Sequence, residues 1–126
     1  MFPEDLYYSP EHEWLRVGSG STARVGITGY AVSELKDVVY VSLPQVGEEV
    51  ARNDAVGEVE STKSVSDVFT PVSGVITSVN DLLDDSPELV GSDPYGEGWL
   101  FEIEISDPEE LEDLLDADTY AETVNG

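Results

Sequence analysis

The stretch GEVESTKSVSDV, residues 57–68, decides how this chain is read. Two β-branched runs, VGEVES and SVSDV, meet across Ser61, Thr62, Lys63 and Ser64. Small polar residues suit a tight turn, so the spacing predicts a hairpin with Lys63 at its tip. A long amphipathic side chain has no packing reason to sit there. Lys63 and Lys36 are the only lysines in a chain of 28 acidic and 5 basic residues. Two readings of Lys63 follow: a solvated lysine that keeps a sheet edge soluble, or an amine presented for acylation, the root of a long arm.

Outward from the hairpin, short β-rich runs are separated by breakers. RVGI (residues 24–27) puts Val25 and Ile27 on one strand face, and Thr28-Gly29 opens a short helix with Ala31, Val32 and Leu35 at helical spacing. VVYVSLP (residues 38–44) reads as a strand ended by proline, and PQVGEEV as a turn. Residues 56–79 hold further strands broken by Gly57, Pro71 and Gly74, a density that suggests a small sandwich or barrel. VSLPQVGEEV and FTPVSGVITSV share a β run, proline, glycine and second β run, a loose sign of two related halves. NDLLDDSPELVG suggests a helical turn or a long loop with a stop at Gly91. WLFEIEI (residues 99–105) alternates cleanly, with Trp99, Phe101, Ile103 and Ile105 on one face. In SDPEELEDLL, Ser106 or Asp107 is placed to cap a terminal helix, with Pro108 in its first turn and Leu111, Leu114 and Leu115 as its apolar stripe. Trp14 and Trp99 are expected to pack in or beside the core rather than serve as ligand platforms.

The 126 residues, 40% of them hydrophobic, fit one folded domain spanning 1–126. The formal net charge of -23 argues against nucleic-acid binding and against an anionic membrane surface. Self-repulsion at this charge suggests a protein adapted to high salt, with a halophilic source as the expectation. Absence of cysteine excludes disulfides, thiolate nucleophiles and thiolate metal sites, so any redox sulfur must be imported. The opening residues combine no basic head with a long apolar run, and no stretch of about 18 apolar residues follows, which leads to the expectation of a cytoplasmic protein.

Catalytic motifs fail when tried against the lysine region. No glycine-rich phosphate loop precedes Thr62-Lys63, and Glu60 stands where an S-x-x-K motif needs serine. His12 is the single histidine, with no nucleophile elbow beside it. Paired carboxylates carry almost no information in so acidic a chain.

YYSPEHEWLRV, VGITGYAVSELKDVVYVSLPQVGEEV, GEVESTKSVSDVFTPVSGVI, SPELVGSDPYGEGWLFEI and SDPEELEDLLDADTY, in that order, resemble the glycine cleavage system H protein family over essentially the whole chain. The resemblance implies a mainly β barrel-sandwich hybrid of the lipoyl or biotinyl type, with short helices and a C-terminal helix. It implies lipoic acid joined by an amide to Lys63 through the V-E-S-x-K-x-x-S-D core. It also implies a shuttle without catalysis of its own. Its partners would be a pyridoxal-phosphate glycine decarboxylase, a tetrahydrofolate-dependent aminomethyltransferase, dihydrolipoamide dehydrogenase, and the lipoate ligase or lipoyl transferase that loads it, with the protein acting as a monomer. Glu13 in EHEW matches a position where the loaded arm docks, the alternative being a plain surface carboxylate. Asp67 matches a position that would help partners recognise the hairpin. Thr62 and Ser64 depart from the Val and Ala of many relatives, and biotin sites would carry Met there. A lipoyl carrier for another complex or for lipoyl relay, and an unmodified acidic interaction module, remain as competing classes.

Overall fold

Pro44 and Pro71 each follow a β-branched run, and at each of them the chain leaves one sheet and enters another. The structure is a computed structural model that describes residues 2–18 and 20–125. Its strands, in chain order, are β1 (Tyr7–Tyr8), β2 (Glu13–Val17), β3 (Thr22–Ile27), β4 (Val38–Ser42), β5 (Glu49–Val50), β6 (Ala55–Ser61), β7 (Val65–Phe69), β8 (Gly74–Val79) and β9 (Phe101–Ile105). A six-stranded sheet runs β1-β2-β3-β9-β8-β5, and a three-stranded sheet runs β4-β6-β7. The fold is mainly β. Its core lies between the sheets, where Val25, Val59, Val68, Ile76, Phe101 and Ile103 are buried.

The two matched sequence segments make equivalent passages. β4 crosses at Pro44 to β5, and β7 crosses at Pro71 to β8. β5 and β8 then pair with each other, while β4 and β7 flank β6. The loose internal similarity therefore corresponds to a repeated strand-proline-strand pass.

Alternation places the side chains of β9 as expected: Phe101, Ile103 and Ile105 are buried and Glu104 is exposed. The strand starts at Phe101, two residues later than the pattern suggested. Trp99 precedes it, half-buried beneath the Arg24 guanidinium at 4.3 Å. Trp14 is wholly buried and donates its indole N–H to Pro94 O at 2.9 Å. Its ring lies across from Gly26, where an added Cβ would come within 2.6 Å of the indole, so only glycine leaves room. Both tryptophans pack as expected.

Helix α1 (Gly29–Leu35) starts where the sequence places it, with Thr28 Oγ1 accepting from Ala31 N at 3.2 Å. The segment around residues 80–91 holds two four-residue turns, α2 (Leu82–Asp85) and α3 (Leu89–Ser92). Gly91 lies inside the second of them instead of ending it.

The terminal helix is a correction. Residues 106–115 form only a 3-10 turn (Pro108–Asp113), capped by Asp107 as expected. Leu115 then exchanges backbone hydrogen bonds of 2.8 Å with Tyr8, which pulls the chain into an extended bridge and stops the helix. Leu111 and Leu114 still pack on the main core. The true C-terminal helix, α4 (Ala117–Asn125), begins after this bridge and buries Ala117 and Tyr120 against Leu6, Tyr8 and Trp14. Among the described residues no helix is long and apolar enough to cross a membrane.

Candidate functional site: a lysine turn beside an acidic pocket

The β6–β7 hairpin closes as its sequence predicts, with Glu60 opposite Val65 and Ser61 N bonded to Ser64 O at 2.8 Å. Ser61 organises the turn. Its Oγ accepts from Lys63 N at 3.1 Å and Ser64 N at 2.9 Å, and donates to Ser64 O at 3.0 Å. Thr62 N bonds to Asp37 O at 3.1 Å, which ties the tip to the start of β4. Lys63 is exposed and, among the described residues, makes no ion pair. Its amine is thus presented on a bend whose backbone is held from two sides.

A pocket of about 220 Å³ opens between β7, α1 and the start of β2, lined by His12, Glu13, Tyr30, Glu34, Asp67 and Val68 among others. Glu13 and Asp67, the two positions that the family resemblance named, both line it. Asp67 is exposed, opposite Glu58 on β6. Ser66, which also lines the pocket, is three residues beyond Lys63, at most about 10 Å of extended chain. An arm rooted at Lys63 reaches that mouth.

Glu13 is not the plain surface carboxylate that stood as the alternative to arm docking. Only 2% exposed, it accepts from Ser9 Oγ at 2.5 Å through one oxygen and from Phe69 N at 3.2 Å through the other. Burial pushes its carboxyl up to about 7, against the lowering effect of those two hydrogen bonds. A cation entering the pocket meets a carboxyl that releases its proton near neutrality.

A hydrogen-bonded chain of three side chains beside the pocket is not foreseen from the sequence. His12 adopts a left-handed backbone (φ 76°) and its Nδ1 lies 2.8 Å from Tyr120 Oη. Tyr120 Oη is also 2.7 Å from Thr28 Oγ1, the cap of α1. Burial lowers the His12 imidazole and raises the Tyr120 phenol to about 12, so the neutral forms predominate at pH 7. One phenol on α4 thereby joins the rim of the pocket to the helix that forms its wall. The lone histidine in EHEW was the available signal, but its partner is 108 residues away.

The glycine cleavage H-protein family model matches residues 6–126. The chain belongs to this family. It is 59% identical to the glycine cleavage system H protein of Micrococcus luteus over 94% of each chain. Against the probable glycine cleavage system H protein of Haloarcula marismortui it is 51% identical, over 97% of this chain and 95% of that one. The crystal structure of a glycine cleavage system H protein from Mycobacterium marinum superposes with a TM-score of 0.89 at 42% identity, covering 99% of this chain and 100% of the other. The fold is the lipoyl-domain-like barrel-sandwich of that family, and the family's role is that of the lipoyl-carrying shuttle of glycine cleavage.

Proposed function

We propose that the chain, as one carrier unit over residues 1–126, bears lipoic acid in amide linkage on Lys63 and moves the aminomethyl group of glycine between enzymes. The observation that carries this reading is the exposed amine, unpaired among the described residues, on a turn fixed by Ser61 and Asp37. When bound, the lipoyl group supplies the dithiolane sulfurs, and hence the group-transfer and redox chemistry, that a chain without cysteine lacks. The residues present fit such a group: the root is exposed, and a pocket within reach offers apolar walls from Ile27, Leu35 and Val68 and the carboxyl of Glu13.

The protein's own part is to hold and to shield. Glu13 attracts the cationic amine at the end of a loaded arm, shedding its proton to do so. Apolar walls exclude the water that would hydrolyse the cargo. The carrier needs no catalytic residue of its own, and its partners are a pyridoxal-phosphate glycine decarboxylase, a folate-dependent aminomethyltransferase, dihydrolipoamide dehydrogenase and a lipoate-attaching enzyme. Asp67, exposed beside the hairpin, is a recognition point for these partners. The cytoplasm is the compartment proposed, and the net charge of -23 supports adaptation to a salt-rich one and a monomeric state.

Intact-mass measurement and peptide mapping of protein from its native host test the reading. A gain of one lipoyl group on Lys63, absent in Lys63→Ala together with glycine decarboxylation, is the expected result. A bare Lys63, or biotin in place of lipoate, refutes it. Lipoylation at Lys63 without support of glycine decarboxylation identifies a lipoyl relay instead.

A further inference from the structure

The outer face of the three-stranded sheet carries an apolar group that the core does not use. Tyr40, Glu60 and Val65 lie side by side across β4, β6 and β7. Tyr40 is 55% and Val65 56% exposed. A bulge between Val38 and Tyr40 inserts Val39 as an unpaired residue, and it too faces solvent, 50% exposed. The bond from Thr62 N to Asp37 O sets this end of β4 against the lysine turn. These three apolar side chains lie outside both buried clusters, close to the lysine turn, and are free to make contact with another surface.

Charge selects the occupant. Asp37, Glu58 and Asp67 are exposed around the patch and Glu60 stands within it, while Lys36 is the neighbouring cation besides Lys63 itself. A second copy of a chain at -23 is repelled from such a rim. A partner with an apolar hollow bordered by arginine or lysine is attracted.

We propose that Val39, Tyr40 and Val65, with their acidic rim, form the docking surface for the enzyme that acylates Lys63. This rests on the carrier reading given above. Enzymes that act on the loaded arm do their chemistry at its far end, so recognition of the hairpin edge at Asp67 is enough for them. The acylating enzyme must bring Lys63 Nζ itself into its centre, so it has only the turn and the strands beneath it to grip. There the neutral amine attacks the acyl carbon of a lipoyl adenylate; the C–N bond forms, the C–O bond to phosphate breaks, AMP leaves and the surplus proton passes to solvent. Tyr40, an exposed aromatic paired with Glu60 three residues before the reacting lysine, is the natural anchor.

The test is steady-state acylation of the unmodified full chain by a lipoate ligase with lipoate and ATP. Tyr40→Thr and Val65→Thr keep strand propensity and touch no core residue. The expected result is a KM for the carrier raised about thirtyfold by Tyr40→Thr, with kcat within about twofold. Glu58→Gln with Asp67→Asn should flatten the rise of KM with salt. Unchanged KM in Tyr40→Thr and Val65→Thr, with wild type fully acylated, overturns the docking surface and leaves the carrier reading standing. So does a wild-type dimer in sedimentation that these substitutions disperse. Failure to acylate wild-type Lys63 overturns the carrier reading and the surface with it.

Discussion

Replacing Glu13 with glutamine should remove a pH-dependent penalty from the fold. In the native protein the Glu13 carboxyl is buried and titrates at about 7 instead of its usual 4.5. A raised acid binds more protons folded than unfolded between those values, so its contribution is fully present below about 4.5 and is lost as pH rises through 7. The gap corresponds to about 3 kcal/mol, an upper figure that a side chain 2% exposed does not require discounting for solvent. Glutamine stands in for the protonated acid: Oε1 accepts from Phe69 N, and Nε2 donates to Ser9 Oγ, whose hydroxyl changes from donor to acceptor in that bond. Urea denaturation of both proteins at fixed ionic strength between pH 5 and 8.5 tests this. The variant should match wild type near pH 5 and exceed it by about 1–3 kcal/mol at pH 8.5. The remaining carboxylates are common to both proteins and cancel in the difference. A difference that stays flat across the range means Glu13 is already ionised at pH 5, and the reasoning fails.

Ser61→Ala removes the hydroxyl that serves Lys63 N and Ser64 N; it should cost about 1 kcal/mol in urea denaturation and speed amide exchange at those two positions. Tyr120→Phe leaves His12 Nδ1 and Thr28 Oγ1 without their shared partner. It should destabilise by about 1–2 kcal/mol and move the His12 ring resonances in NMR, whereas Glu122→Gln, on the exposed side of α4, should do neither. Thermal midpoints in KCl from about 0.1 to 2 M should rise steeply as screening relieves the charge of -23, and a flat or falling series would remove the salt adaptation.

Local chemistry made the centre of the molecule readable and left its ends obscure. Turn composition at residues 61–64, the Thr28 cap and the alternation of residues 101–105 are each settled by neighbours a few positions away, and each formed as expected. The 3-10 turn at Pro108–Asp113 was misread because the bridge that stops it comes from Tyr8, far away in sequence. β1 and β2 went unmarked since aromatic and charged residues there are ordered by pairing with β3 and by α4, not by their own pattern. For the pocket, family resemblance named Glu13 and Asp67, but burial of Glu13 and the reach of Tyr120 to His12 are properties of packing. No local period encodes them.

The bend at Lys63 is shaped by one hydroxyl and by main-chain atoms, and the side chains of Thr62 and Ser64 take no part in its hydrogen bonds. Those two flanking positions are consequently free to drift between polar and apolar identities while the contour of the loop persists. Whatever loads this lysine senses a form more than a spelling, and one modifying enzyme should serve homologues whose flanks differ.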